Sequence, residues 1–278
     1  MQRGCIFKYR GAWFLKYYDV CLTDGQRKSR RACKKLAPVS DEYRTKADVR
    51  TLADAILNPI NSGQLQPESS MLVEDFITQH YMPYVRKTLR PATYKNYNDI
   101  FRFHVQGKLK VSLRDFRTVT AQRFLTEITD VGHTTKLRIK SFVSGVFKHA
   151  KQIGVLDGIN PVQDSVVLGR TDRRKMPAYD LVEIEALMRA VPEPAKTIVA
   201  VASLTGLRVS ELMGLRWTDY NGETLHVSRS VWRTHIRAPK TFESAAEIPV
   251  LPVLRTALKQ HRARTQASDE DYIFGGSR

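Results

Sequence analysis

Apolar and polar positions change period along this chain, and the changes divide it. In the first sixty residues the apolar positions come in short β-prone runs, Ile6-Phe7-Lys8-Tyr9 and Trp13-Phe14-Leu15-Lys16-Tyr17-Tyr18, with Asp24-Gly25 marking a tight turn. A third strand is expected through Arg30 and Lys34. The spacing then becomes helical: Val49, Leu52, Ala53 and Ile56 line one side of a helix predicted from Lys46 to Ile56. Residues 1–63 therefore read as a three-stranded sheet plus a helix.

From Ser70 to Val167 the pattern is helical throughout. Leu72, Val73, Phe76 and Ile77 make one apolar face. Pro91 stands near the start of a helix carrying Tyr94, Tyr97, Ile100, Phe101 and His104, and Gly107 ends it. A short helix is expected from Thr120 to Ile128 and a long one from Thr134 to Ile153. The long helix turns Ile139, Phe142, Val143, Val146, Phe147 and Ala150 to a core. Asn160-Pro161 closes this bundle, assigned to residues 70–167. The segment 168–176, with Arg170, Arg173, Arg174 and Lys175, is polar and basic, a tether or a flexible spacer.

Beyond Pro177 helices and strands mix. Helices are predicted over Leu181–Val191 and over Ala195–Leu204, the second apolar enough to be buried. A turn at Thr205-Gly206 leads to a helix bearing Arg208 and Glu211. Strand-like stretches follow at 224–228, 231–236 and 247–251, then a helix over Val253–Arg264. The fold class expected is mainly α with small β-sheets, an α+β arrangement.

Composition narrows the function. Forty-five Lys and Arg against 28 Asp and Glu give a net charge of +17, which points to a polyanion partner whose binding weakens steeply with salt. An acidic membrane surface would call for a lipidation motif or a basic helix with a bulky apolar face; no lipidation motif is present. No apolar run approaches the ~18–20 residues of a membrane span, and Met1-Gln2-Arg3-Gly4-Cys5 lacks a secretory profile. Three scattered cysteines, Cys5, Cys21 and Cys33, make neither a zinc site nor a disulfide framework and read as free thiols in a reducing cytoplasm.

The charge is also patterned. Ten basic residues against two acids lie between Met1 and Lys35. Lys8, Arg10, Lys16 and Arg30 can arm a sheet face for a DNA groove, as in β-ribbon readers, or can simply be solvated around a minimal core; Trp13 and Tyr17 belong to that core. On the long helix Lys136, Lys140, Lys148 and Lys151 share a stripe without an acid, favouring phosphate contact over a plain solvated face. Arg173 and Arg174 extend this basic set. Arg208 and Glu211, three apart, share a helical face. A guanidinium fork matches two phosphate oxygens and stabilises charge that develops there during phosphoryl transfer, with Glu211 orienting it.

Taken alone, Arg-x-x-Glu recurs by chance. Embedded in Thr205-Gly206-Leu207-Arg208-Val209-Ser210-Glu211-Leu212, followed by Gly214-Leu215-Arg216-Trp217 and later by Pro239-Lys240-Thr241, it resembles the first half of the active site of the tyrosine recombinases, the phage and transposon integrases. The resemblance implies that Lys240, on a hairpin with Ser244 near by, protonates the departing 5′ oxygen, and that Arg216 is structural or DNA-facing. Ala246, where many relatives carry a base, departs from the pattern. By the same resemblance residues 1–63 are an arm-type DNA-binding domain, 70–167 a SAM-like core-binding domain, and 177–278 the front of a catalytic domain. A nucleophilic tyrosine that conserves the phosphodiester's energy needs neither ATP nor metal, so no cofactor is expected.

In the family order a His-x-x-Arg box, a later His or Trp and the nucleophile come after a Tyr-x-Phe segment like Tyr272-Ile273-Phe274; they have no counterpart before Arg278, and Tyr272 is not expected to be the nucleophile. The expectation is a site-specific DNA integrase, C-terminally truncated, acting on double-stranded attachment sites in a bacterial or phage-infected cytoplasm. A complete form would be expected to assemble as a tetramer. The alternatives are a DNA-binding remnant without strand transfer and, from another class, a basic transcription factor built on the same DNA-binding domains.

Overall fold

The computed structural model describes residues 1–278 apart from 24–25, 64–65, 170–176, 239–246 and 275–278. The chain divides into two compact units, Met1–Asp172 and Arg173–Arg278.

The first unit opens with three antiparallel strands, β1 (Cys5–Tyr9), β2 (Ala12–Thr23) and β3 (Gln26–Pro38), in the order β1-β2-β3. Alternation along β2 gives the sheet two unlike faces. Trp13 and Leu15 point inward with Ile6 and Ala37, and pack on Val49, Ala53 and Leu57 of the helical segment behind them. That helix, α1, spans Arg50–Asn61, starting and ending several residues later than the apolar spacing suggested. Trp13 is buried, with its indole N–H donating to the Tyr43 carbonyl at 2.8 Å, and Tyr17 is half-buried.

The bundle follows: α2 (Val73–Phe76), α3 (Met82–Thr88), α4 (Pro91–Ile100), α5 (Thr118–Glu127) and α6 (His133–Gln152). Two π-helical turns, Ile77–Tyr81 and Phe101–Val105, carry α2 into α3 and extend α4. The first seats Tyr81 against Gly145 of α6, where a side chain on the glycine would collide with the phenol oxygen. The predicted inner face of α6 is buried throughout, from Ile139 to Ala150. Leu72, expected on an apolar face, is 42% exposed, because it precedes α2 as its extended N-cap.

Sheet and bundle meet through polar contacts. Arg114, in a 3-10 turn of the bundle, engages both carboxylate oxygens of Asp19 on β2, and the Leu22 N–H donates to Ser70 Oγ at 3.1 Å.

The second unit holds α7 (Leu181–Ala190), α8 (Ala195–Thr205), α9 (Val209–Leu212) and α10 (Pro252–Thr265), with two two-stranded pieces: β4 (Thr224–His226) with β7 (Glu247–Pro249), and β5 (Ser230–Trp232) with β6 (His235–Arg237). A reciprocal cap between Asp180 and Glu183 starts α7. Two expectations fail here. The apolar helix α8 is not buried all round: Thr197, Ala200 and Val201 are, while Leu204 is 37% exposed. The core it joins, built on Leu212, Leu215, Trp217, Leu225, Leu254 and Ile273, takes up only one stripe of the helix. The stretch 231–236 is not one strand either. It turns back at Arg233 and Thr234, where Arg233 takes the left-handed conformation (φ 54°).

One buried titratable group makes the bundle's stability depend on pH. His149 of α6 is 7% exposed, stacks on Tyr84 at 4.1 Å and packs by Phe76 and Tyr81. Burial, with a smaller contribution from His80, holds its pKa below the ordinary value. A depressed basic pKa means that the unfolded chain takes up the proton first, so stability is full above about pH 6.5 and is lost as the pH falls below it. Urea melts of the full chain are expected to show that loss between neutral pH and about pH 5.5, and His149→Phe to flatten it. An equal loss in the variant would contradict this assignment.

Candidate phosphate-binding site

The site begins where α8 ends. Gly206 caps that helix in the left-handed conformation (φ 67°), which a residue with a side chain adopts only with strain, and Thr205 Oγ donates back to the Val201 carbonyl. The chain then turns sharply into α9. Arg208 and Glu211 are not two positions along one helical face. Arg208 is the extended N-cap residue (φ −70°, ψ 150°) of a four-residue helix, and Glu211 is its third residue. This arrangement couples them more tightly than a helical surface pair. Glu211 Oε2 accepts the backbone N–H of Arg208 at 3.0 Å, and Oε1 accepts the guanidinium Nη1 at 2.9 Å.

Burial is unequal across this pair. The Glu211 side chain is 6% exposed and that of Arg208 is 68% exposed. A carboxylate fixed in the core thus orients a guanidinium that stands at the surface. Charge-assisted bonds of this kind are the stronger class, and a planar five-donor cation presented to solvent is suited to a tetrahedral oxyanion.

A second brace lies just behind. Asp219, 7% exposed at its side chain, accepts the Arg216 backbone N–H at 2.8 Å and the Arg229 guanidinium at 2.6 Å. Arg229 also donates to the Gly214 carbonyl at 3.3 Å. A side chain at Gly214 would meet the Arg229 carbonyl at 2.7 Å, so the turn after α9 and the start of β5 sit against each other backbone to backbone. Arg216 lies over the Tyr272 ring at 4.9 Å and pairs with Glu270 at 3.3 Å. Its hydrogen bond with the Tyr272 hydroxyl is the main cause of its raised pKa. Both side chains are thereby tied to one another.

The other predicted residues fall into three groups. Lys240, with Thr241, Ser244 and Ala246, and the tether residues Arg173 and Arg174 lie outside the described residues. On the bundle, Lys148 is exposed and Lys136 half-buried, whereas Lys140 donates to the Gln163 and Ser165 carbonyls, which ties down the segment after α6.

On the sheet, the register separates the four basic candidates. Lys16 shares the outer face with Phe7, Phe14 and Tyr18 and stands 4.7 Å over the Phe7 ring; Arg10 lies over Tyr9. Lys8 and Arg30 pair with Trp13 and Asp19 on the opposite face, towards α1. The outer face also holds Arg31, which covers the Tyr18 ring and donates to its hydroxyl at 3.2 Å. Arg31 was missed by sequence reasoning, although the period-two alternation Phe14, Lys16, Tyr18 would have paired it.

The spacing His-x-x-Arg does occur in the sequence, at His226–Arg229 and at His261–Arg264. His226 is exposed on β4, and Arg229 is the brace just described. His261 is buried in α10, with Nε2 2.7 Å from the Ile273 carbonyl, and Arg264 pairs with Glu193 at 3.1 Å. Arg229, His261 and Arg264 serve the unit's own packing, and His226 faces solvent. Among the described residues no three His, Cys, Asp or Glu side chains gather as a metal site, and no helix is long and apolar enough to cross a membrane.

The Arg208–Glu211 geometry predicts an asymmetric mutational response. Glu211→Ala removes two hydrogen bonds to a buried carboxylate and is expected to cost about 1–3 kcal/mol in a urea melt. Arg208→Ala leaves the buried carboxylate without its cation and is expected to cost more than Glu211→Ala, although the atoms it removes are mostly exposed. A smaller loss for Arg208→Ala would mean that the buried carboxylate does not depend on this guanidinium.

No protein-family model matches the chain. It is 24% identical over 289 residues to a tyrosine recombinase XerC-like protein of Caldanaerobacter subterraneus subsp. tengcongensis, covering 94% of this chain and 71% of that one. It is 23% identical over 183 residues to a putative prophage phiRv2 integrase of Mycobacterium tuberculosis, covering 63% of this chain and about half (48%) of that protein. The fold is similar to the Tn1549 transposon integrase solved with transposon right end DNA (TM-score 0.61, 19% identity, 74% and 71% of the two chains). It is also similar to a lambda integrase tetramer bound to a Holliday junction (TM-score 0.56, 16% identity, 93% and 71%). Together with the Arg208 segment, these matches support a tyrosine recombinase family for this chain.

Proposed function

We propose that this protein takes part in site-specific DNA recombination of the integrase type, with Arg208 holding a backbone phosphate of the strand to be exchanged. The observation that carries the reading is the pinned guanidinium: an exposed cation fixed at its root and tip by one buried carboxylate. A loose surface arginine loses side-chain entropy on binding phosphate; a pre-oriented one loses less. Its donors are then aimed where charge develops as the phosphate is attacked. Lys240 is assigned the general acid on the strength of its place in the Pro239-Lys240-Thr241 sequence.

The remaining parts serve to bind and position. Residues 1–63 act as an arm-type domain, whose outer sheet face offers Lys16, Arg10, Arg31 and four aromatic rings to duplex DNA. Residues 70–167 act as a core-binding domain, with Lys136 and Lys148 on backbone phosphates. Residues 177–278 supply the phosphate site, reached through the basic tether 168–176. Assembly on DNA as a tetramer and action on attachment sites in a bacterial or phage-infected cytoplasm belong to the same proposal.

Tyr272 is assigned a structural part, because its hydroxyl and ring are both engaged by Arg216. A suicide substrate tests the whole reading: a nicked duplex carrying the attachment site, incubated with the 278-residue chain. Retarded migration that Arg208→Ala weakens, and no covalent adduct at Tyr272, is the expected result. An adduct that Tyr272→Phe abolishes would overturn the assignment of Tyr272, and absence of any retardation would overturn the proposed function.

A further inference from the structure

The β5–β6 hairpin is used neither by the core of its unit nor by the Arg208 site. It pairs Ser230 with Arg237, Val231 with Ile236 and Trp232 with His235. No residue in either strand is buried, and residues 233–238 are all exposed. An isolated two-stranded hairpin is marginal in water, so something must fix this one. Its root is fixed by the brace of Arg229 on Asp219 and Gly214. Its tip is a stack: the Trp232 and His235 rings lie 6.0 Å apart and 11° from parallel, and the Arg233 guanidinium stands 5.3 Å from the Trp232 ring centre.

Two further features make the tip unusual. Arg233 occupies the turn position with φ 54°, where glycine is the relaxed choice and an arginine is strained. From Val227 to Lys240 the sequence carries Arg229, Arg233, Arg237 and Lys240 and no acid. A firmly rooted ribbon with a one-sign charge and an aromatic–guanidinium tip matches a duplex groove: a two-stranded ribbon fits the major groove, and a guanidinium seeks the base-edge acceptors and the negative potential within a groove.

We infer that the β5–β6 hairpin is a DNA-reading element of its own, which inserts Arg233, backed by Trp232 and His235, into a groove of the duplex whose phosphate Arg208 holds. The inference rests on the proposed function in needing that duplex. It adds a sequence-reading contact that the phosphate site does not provide, and it explains why the turn keeps an arginine in a strained conformation.

Arg233→Gly separates this role from a structural one. Glycine relieves the backbone, so a turn that matters only for folding gains stability and binds DNA as before. A groove contact loses affinity despite the more relaxed fold. The test measures binding of the full chain to duplex DNA carrying the attachment site across a salt series, with mixed-sequence duplex as the control, alongside a urea melt. We expect Arg233→Gly to bind roughly tenfold more weakly, as for the loss of one good base-edge contact, with no loss of stability. Trp232→Ala should weaken binding in the same direction. Equal affinity of wild type and Arg233→Gly at every salt concentration would overturn the hairpin's role while leaving the Arg208 reading intact. Failure of the wild-type chain to bind any duplex would overturn both.

Discussion

The constraint on which the second unit's function depends is the double hold of one buried carboxylate on one arginine. Glu211 takes the Arg208 backbone N–H with one oxygen and its guanidinium with the other. Burying a carboxylate costs several kcal/mol unless its lone pairs are satisfied and a cation stands close. Here both conditions are met by a single residue. The pair also fixes the chain direction: Gly206 turns left-handed to leave α8, Arg208 stays extended, and α9 begins on the carboxylate that caps it. The electrostatics that orient the cation and the hydrogen bonds that start the helix are the same bonds.

The molecule applies this device twice. Asp219 repeats it one turn later, accepting the Arg216 backbone N–H and then the Arg229 guanidinium. The first carboxylate aims a cation at the surface. The second uses a cation to tie the root of the β5–β6 hairpin to the turn after α9. The backbone contact at Gly214 makes the fit close enough to exclude any side chain there. The Arg208–Glu211 pair and the hairpin are thus anchored to neighbouring points of one scaffold.

Much of the fold was legible from periodicity. The three strands, the inner face of α6 and the pairing of Trp13 with a minimal core follow from spacing alone. Where the reading failed, the cause is local. Period three placed Arg208 and Glu211 on one helical face, yet the glycine cap left only four residues of helix, and capping geometry joined them instead. An apolar sequence suggested a buried α8, but a core on one side covers a single stripe. A β-prone run over 231–236 hid a reversal, because arginine at Arg233 does not advertise a left-handed turn as glycine would. The lysine pattern on α6 gave no sign that Lys140 is tied to two backbone carbonyls while Lys148 stays exposed. The site itself was legible only as a motif, and its burial asymmetry needed coordinates.

The central claim is that the pinned guanidinium of Arg208 grips one particular phosphate. The most direct measurement replaces single phosphates of the bound strand by uncharged methylphosphonates, one position at a time, and compares wild type with Arg208→Ala. The account predicts one position at which neutralisation weakens the wild-type chain but leaves the variant unaffected, because the interaction is already lost. Identical profiles for the two proteins would contradict it.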